Sequence, residues 1–98
     1  MLFPDLLISN LKSNYRSSTI KVYEGVIRRL YREAWGVSEW DSSLLLDHEG
    51  LREHLSQKAP KDAVRILVIV RTLLETLDRS KYESPIHIYR NMVKESTW

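Results

Sequence analysis

A stripe of basic residues near the start of the sequence recurs at helical spacing, and such residues suit an anionic partner. The stripe consists of Lys21, Gly25, Arg28 and Arg32, within residues 17–35. Intervals of three and four residues place its members on one face of an α-helix. Lysine and arginine neutralise phosphates and release the counterions bound to them. The stripe alone leaves open an alternative, a solvated helix face that binds no ligand.

Two further groups of residues offer the same chemistry. Lys61 and Arg65 are four residues apart, so on a helix they share a face and can address neighbouring phosphates or a base edge. Ser17 and Ser18 come just before the basic stripe, where their oxygens can cap the free amides of a first helical turn. Those serines and amides can also hold a phosphate oxygen.

The basic stripe belongs to a long amphipathic helix predicted for residues 18–35. The apolar positions of this helix are Ile20, Tyr23, Ile27, Leu30, Tyr31 and Ala34. They recur every three or four residues, so they face a core. Gly36 is expected to end the helix. Gly25 lies inside it and costs about 1 kcal/mol relative to alanine, which indicates close packing, close approach of a backbone, or a tolerated defect.

One short helix is predicted before the long helix and another after it. The first begins at Pro4, and its inward positions are Leu6, Leu7 and Leu11. The second covers residues 48–57 and follows Asp47, a residue type that caps helices well. Its inward positions are Leu51 and Leu55, and Leu46, just before the helix, is expected to face the core with them. A loop over residues 37–43 carries Trp40 and joins the second helix to the long one.

A fourth helix is predicted over residues 61–78. Pro60 opens it, where the missing amide hydrogen of proline costs nothing. Apolar residues cover far more than one face, which indicates a buried central helix. A buried strand is the alternative, but the sequence offers no second strand for it to pair with. Arg71 is expected to pair with Glu75, one turn further along this helix.

A last short helix is predicted over residues 86–94, anchored by Ile86, Tyr89 and Val93. It follows a polar turn over residues 78–84. Pro85, just after this turn, restricts Ser84 to an extended conformation. The expected fold class is therefore all-α: a compact bundle of four to five helices that forms one domain over residues 1–98.

The charge is unevenly distributed along the chain. The net charge is only +2, but residues 1–35 carry +3, residues 36–60 carry −3 and residues 61–98 carry +2. If the two basic flanks pack side by side, their basic residues combine into one patch.

Composition argues against several classes of function. The sequence has no cysteine, so it can form neither a disulfide nor a thiolate metal site. His48 and His54 are six residues apart, the wrong spacing for one helix face, so we expect no metal and no cofactor. Neither a signal peptide nor a membrane span is expected, and the expected location is intracellular, in the cytoplasm, nucleoid or nucleus.

Three segments resemble, in their order and spacing, a known family. They are SSTIKVY at residues 17–23, LDHEGLREHL at residues 46–55 and RILVIVR at residues 65–71. Trp35 closes the first helix, and Pro85 follows the last segment at the usual distance. Together they resemble the core-binding domain of tyrosine recombinases, the N-terminal, SAM-like helical module of phage integrases. The chain departs from the family in its fourth helix, where Val68 and Ile69 replace small residues.

This resemblance implies one arm of a C-shaped clamp around duplex DNA, with the long helix and the fourth helix against the DNA. The residues that it offers for DNA contact are Arg16, Ser17, Ser18, Thr19, Lys21, Arg28, Lys58, Lys61 and Arg65. Arg65 matches the family motif directly, and the others match by region. A second copy of the chain or a recombinase catalytic domain are the further partners implied.

The resemblance also implies that this domain has no catalytic activity of its own. In the family, the catalytic residues, including a nucleophilic tyrosine, lie in a separate domain. Tyr23 and Tyr31 lie on the apolar face of the long helix, where tyrosines are core residues, and Tyr89 is not expected to be a nucleophile either.

The alternative function is a helical protein-interaction or oligomerisation module. The apolar fourth helix and three tryptophans, Trp35, Trp40 and Trp98, favour it. Three tryptophans are more than one small core easily hides, and exposed tryptophans are enriched at protein interfaces.

Overall fold

Five α-helices and two short helical turns form the fold in a computed structural model, which describes residues 2–96. The helices are α1 (Asp5–Lys12), α2 (Ser17–Leu30), α3 (His48–Leu55), α4 (Pro60–Asp78) and α5 (Glu83–Ser96). A π turn (Tyr31–Trp35) continues α2, and a 3-10 turn (Ser42–Leu46) precedes α3. Residues 2–96 contain no strand, which confirms the predicted all-α fold class.

Helix α4 is the central element of the bundle. Its buried side chains are Ala63, Leu67, Ile69, Val70, Thr72, Leu73 and Leu74. Helix α5 packs along it most extensively, and α1 and α2 also contact it. The buried Thr72 hydroxyl donates to the carbonyl of Val68 at 2.8 Å, so this polar group is satisfied within the helix. The sequence-based prediction of a buried central helix is therefore confirmed.

Helix α2 turns its predicted apolar face toward the core. Ile20, Ile27, Leu30 and Tyr31 are buried, and Tyr23 and Ala34 are half-buried. Gly36 ends the helical segment in the left-handed region, with φ of 67°, as expected for a glycine at a helix C-terminus. The π turn just before Gly36 was not predicted. It is wound with i→i+5 hydrogen bonds, so side-chain positions extrapolated from α2 do not hold beyond Leu30.

Asp47 caps α3, as predicted. Its carboxylate accepts a hydrogen bond from the Gly50 amide at 3.1 Å, and its other oxygen accepts one from the indole nitrogen of Trp35 at 3.0 Å. These two hydrogen bonds, the first of them most strongly, hold the pKa of Asp47 below its usual value. One side chain therefore starts α3 and ties it to the end of the α2 segment.

Two leucines that were predicted to face the core lie at the surface. Leu6 is 73% exposed, because the inward face of α1 is centred on Leu7 and Leu11 and Leu6 points about 120° away from that centre. Leu46 is 39% exposed, whereas Leu45 is fully buried. Three residues per turn in the 3-10 helix, rather than 3.6, set which of these adjacent leucines points inward.

Helix α5 begins three residues earlier than predicted. Ser84 is helical, not extended, and Pro85 lies in the first turn of α5, where a proline removes no intrahelical hydrogen bond. Ile86 and Tyr89 are buried anchors, as predicted, and Met92 is a third. The Tyr89 hydroxyl donates to the Leu45 carbonyl and so joins α5 to the 3-10 turn.

An aromatic cluster fastens the loop between the π turn and the 3-10 turn. The Trp40 ring stacks on Tyr31 at 6.0 Å and meets the edge of Phe3 at 5.4 Å. Trp35 packs edge-on against Tyr31 at 5.7 Å. The Tyr31 hydroxyl donates to the Asp41 carbonyl at 2.7 Å. Both tryptophans are half-buried and serve packing within the domain; Trp98 lies outside the described residues.

Candidate nucleic-acid interface

A groove of about 410 Å³ lies between α2 and the first part of α4, and α3 closes one end of it. Its lining residues are Lys21, Val22, Gly25, Val26, Arg29, Leu30, Glu33, His54, Lys58, Asp62, Arg65 and Ile66. Four of these side chains are cations and two are carboxylates. The groove therefore has an excess of positive charge, which draws anions toward it.

The register of α2 decides which of its side chains enter the groove. With 3.6 residues per turn, Arg29 lies about 40° to one side of Gly25, and Val22 lies about 60° to that same side. Arg28 lies about 60° to the other side of Gly25. Val22, Val26 and Arg29 on the first side line the groove; Lys21 lines it from about 40° to the other side, near the start of α2, whereas Arg28, further round on that side, does not.

Three cations of the groove are exposed and have no acidic partner. Lys21, Arg29 and Arg65 make no ion pair with any residue in 2–96. Lys58, in contrast, lies with its ammonium nitrogen 3.9 Å from the Glu33 carboxylate, and both side chains are partly exposed. The unpaired cations on two different helices are thus the groups available to an external anion.

The floor of the groove is apolar and open. Val22 is 47% exposed, and Val26 and Ile66 beside it are half-buried. Beyond the adjacent residues and the neighbouring backbone of α2, a Cβ atom built on Gly25 would find no atom of the described residues within 4 Å. Close packing inside the domain is therefore not the reason for this glycine.

His54 also reaches the groove, from the last turn of α3. Its Nε2 atom is buried, and no group in residues 2–96 forms a hydrogen bond with it.

The structure brings three of the sequence-predicted contact residues together. Lys21, Lys58 and Arg65 line one groove, although they come from three separate parts of the chain. Lys61 is exposed but does not line it. Because Lys61 comes four residues before Arg65, the two were predicted to share a helix face. Only the Arg65 side of that face borders the groove.

Arg28 was predicted as a contact residue, and the structure places it elsewhere. Its guanidinium lies 3.5 Å from the Glu24 carboxylate, one turn back on α2. Another oxygen of Glu24 accepts a hydrogen bond from the backbone amide of Phe3 at 3.2 Å, so Arg28 lies on the side of α2 where the N-terminal segment packs. Arg32 belongs to the π turn and also does not line the groove.

The start of α2 differs from the predicted serine cap. Arg16 occupies the N-cap position and Ser17 is already helical, so no side chain of the cap residue accepts a first-turn amide. Arg16, Ser17 and Ser18 are exposed, and Thr19 is half-buried. The first turn contains no acidic residue. Uncapped amides and the positive end of the helix dipole therefore face solvent beside an arginine, which is a favourable place for an anion.

Arg29 is the functional candidate that sequence reasoning missed. Lys21, Gly25 and Arg29 are spaced four residues apart, and that spacing was visible in the sequence. The stripe through Arg28 and Arg32 fitted helical periodicity equally well, because α2 carries adjacent arginines. What distinguishes Arg28 from Arg29 is the position of α4. The sequence pattern of α2 alone does not reveal that position.

Arg71, Tyr31 and Tyr89 interact with other groups of the domain. Arg71 lies 3.9 Å from Glu75, as predicted, and Glu75 also binds Arg90 at 2.9 Å. Burial raises the pKa values of Tyr31 and Tyr89 above the usual range, so both hydroxyls stay protonated as hydrogen-bond donors.

Residues 2–96 offer neither a cluster of metal ligands nor a membrane-spanning helix. The described side chains contain no group of three or more histidine or acidic residues placed to hold a metal ion. No helix in this part of the chain is both long enough and apolar enough to cross a bilayer. Compared with protein-family models, curated proteins and solved structures, the chain shows no significant match.

Proposed function

We propose that this chain is a DNA-binding domain that holds duplex DNA in the groove between α2 and α4. The observation that carries this proposal is the convergence of Lys21, Arg29 and Arg65, three exposed cations without acidic partners, on one groove. Such cations neutralise phosphates and release counterions, which supplies affinity without regard to base sequence. The domain itself carries out no catalysis and uses no cofactor.

The resemblance to the core-binding arm of tyrosine recombinases supports the same proposal. In that family, the helices that correspond to α2 and α4 lie against the DNA, and these two helices line the groove here. Arg65, the residue that matches the family motif directly, is among the unpaired cations. We therefore propose a role in DNA recombination or integration, with a recombinase catalytic domain or a second copy as partner and an intracellular location.

The start of α2 extends the proposed contact surface. Its uncapped first-turn amides, with Arg16, Ser17 and Ser18, offer hydrogen-bond donors to a phosphate of the same duplex. Lys61 is exposed near the groove and adds long-range attraction.

A protein-interaction module is the alternative, and the structure gives it less support than the sequence did. Trp35 and Trp40 favoured it as exposed anchors, but both pack within the domain. The most exposed large apolar side chain in residues 2–96 is that of Leu6, at 73%, and one isolated leucine is common on protein surfaces.

A pair of double variants tests the proposed function. K21Q/R65Q removes two groove cations, and K12Q/R79Q removes one lysine and one arginine that are also exposed but lie outside the groove. Both variants have the same net charge. We expect K21Q/R65Q to bind a duplex at least about tenfold more weakly than K12Q/R79Q at low salt. Equal affinities would refute a specific role for the groove.

A further inference from the structure

We propose that Gly25 is the point at which the sugar–phosphate backbone of one DNA strand lies directly against α2. The phosphates on either side of that point are bound by Lys21 and Arg29. Because this assignment assumes the DNA binding proposed above, its test must separate the two.

Neither conformation nor internal packing explains the glycine. Gly25 lies in the middle of α2 and its φ is not positive, so an L-residue fits the backbone. A Cβ atom there would meet nothing within 4 Å. A glycine in a helix interior costs about 1 kcal/mol relative to alanine. No contact in the described residues compensates for this loss of helix stability, which points to a ligand.

The surroundings of Gly25 fit a sugar–phosphate strand. Lys21 and Arg29 stand one turn before and one turn after it, about 12 Å apart along the helix axis. Val22 and Val26 present apolar surface between these cations, suited to the C–H faces of deoxyribose. Arg65 approaches from the opposite wall. An alternation of cationic and apolar groups around a bare stretch of helix backbone matches the alternation of phosphate and sugar in a nucleic-acid strand.

A series of substitutions at Gly25 tests the proposal on the full chain. Gly25→Ala and Gly25→Leu are compared with Asn91→Ala and Asn91→Leu, which place the same two side chains at an exposed position of α5 outside the groove. Affinity is measured by fluorescence anisotropy with two duplexes of unrelated sequence, and folding by thermal melting. We expect Gly25→Ala to melt higher than the wild type yet bind about threefold more weakly, and Gly25→Leu to bind at least about tenfold more weakly. The Asn91 variants bind as the wild type does.

Each other outcome has a definite meaning. If the wild type binds DNA and both Gly25 variants bind equally well, the strand contact is refuted while the proposed function stands. If the loss at Gly25 appears with only one of the two duplexes, α2 reads base edges and the backbone contact is again refuted. If the wild type binds neither duplex, the proposed function and this inference fall together. A stabilised protein that binds less well supports the inference, because a purely structural glycine would not separate stability from binding.

Discussion

The carboxylate of Glu33 lies 3.9 Å from the ammonium group of Lys58, across the end of the groove between α2 and α4. Both side chains are partly exposed, so their attraction adds little to stability. The effect of this ion pair on anion binding is larger, because Glu33 partly neutralises Lys58, one of the four groove cations. With Asp62 as a second carboxylate in the same lining, the groove binds an anion less tightly than its cations alone would.

Removing a groove carboxylate should therefore strengthen DNA binding. We expect Glu33→Gln and Asp62→Asn each to raise the affinity for a duplex by about two- to fivefold at low salt. Glu39→Gln makes the same change in net charge at an exposed site outside the groove and is the matched control. Anisotropy titrations of the three variants check this. An equal gain for Glu39→Gln would mean that net charge, and not the groove, determines the affinity.

The adjacent arginines of α2 provide an internal comparison. Arg29 lines the groove without an acidic partner, whereas Arg28 lies 3.5 Å from Glu24 on the other side of the helix. We expect Arg29→Gln to weaken DNA binding about three- to tenfold and to lower the salt slope by about 0.9. Arg28→Gln should leave both nearly unchanged. The reverse order of effects would show that the DNA lies against the opposite side of α2.

The glycine of α3 should respond to alanine in the opposite way from Gly25. A Cβ atom on Gly50 would lie 2.9 Å from the Asp47 side-chain carbon and closer still to its carboxylate oxygen. Asp47 would have to turn away and lose its hydrogen bonds to the Gly50 amide and to Trp35. We expect Gly50→Ala to lower the melting temperature and Gly25→Ala to raise it. A rise in both would show that the Asp47 cap contributes less than helix propensity.

The lowered pKa of Asp47 predicts a loss of stability in acid. The carboxylate titrates lower in the folded chain than the usual 3.8, chiefly because the Gly50 amide donates to it. Its contribution is therefore fully present above about pH 4 and disappears as the pH falls through the folded pKa. Denaturant unfolding followed by tryptophan fluorescence, from pH 7 to pH 2, measures this loss.

Asp47→Asn supplies the control for the acid effect. It keeps a capping oxygen but does not titrate, so it should lose less stability in acid than the wild type does. Asp41 retains its own contribution, because the hydroxyl and amide of Ser43 lower its pKa as well. Identical pH profiles for the wild type and Asp47→Asn would contradict the role assigned to Asp47.

Most of the helical framework was predictable from the sequence, because local signals determine it. The apolar period of α2, the cap at Asp47 and the proline at the start of α4 each act within a few residues. Two of the errors occur where the helix type changes. The choice between Leu45 and Leu46 depends on a 3-10 turn, and the position of Arg32 on a π turn, neither of which the period of an α-helix predicts.

The candidate site was predictable only in part, for a different reason. Lys21 and Arg65 were singled out by residue type and spacing, and Lys58 by the family resemblance, but their convergence depends on how α2 and α4 pack. The same packing selects Arg29 over Arg28 and turns Glu33 toward Lys58. These are relationships between helices, and a pattern within one helix carries no information about them. The open space at Gly25 likewise becomes visible only when its neighbours are in place.

The salt dependence of DNA binding tests the central claim most directly. A labelled duplex of about 30 base pairs is titrated with the wild-type chain at several salt concentrations, and the logarithm of the binding constant is plotted against the logarithm of the salt concentration. If the three unpaired groove cations contact phosphates, the slope should be about −2.7, and about 1.8 units shallower for K21Q/R65Q. No binding at low salt, or a slope that K21Q/R65Q leaves unchanged, would contradict the assignment of the groove as a DNA-binding site.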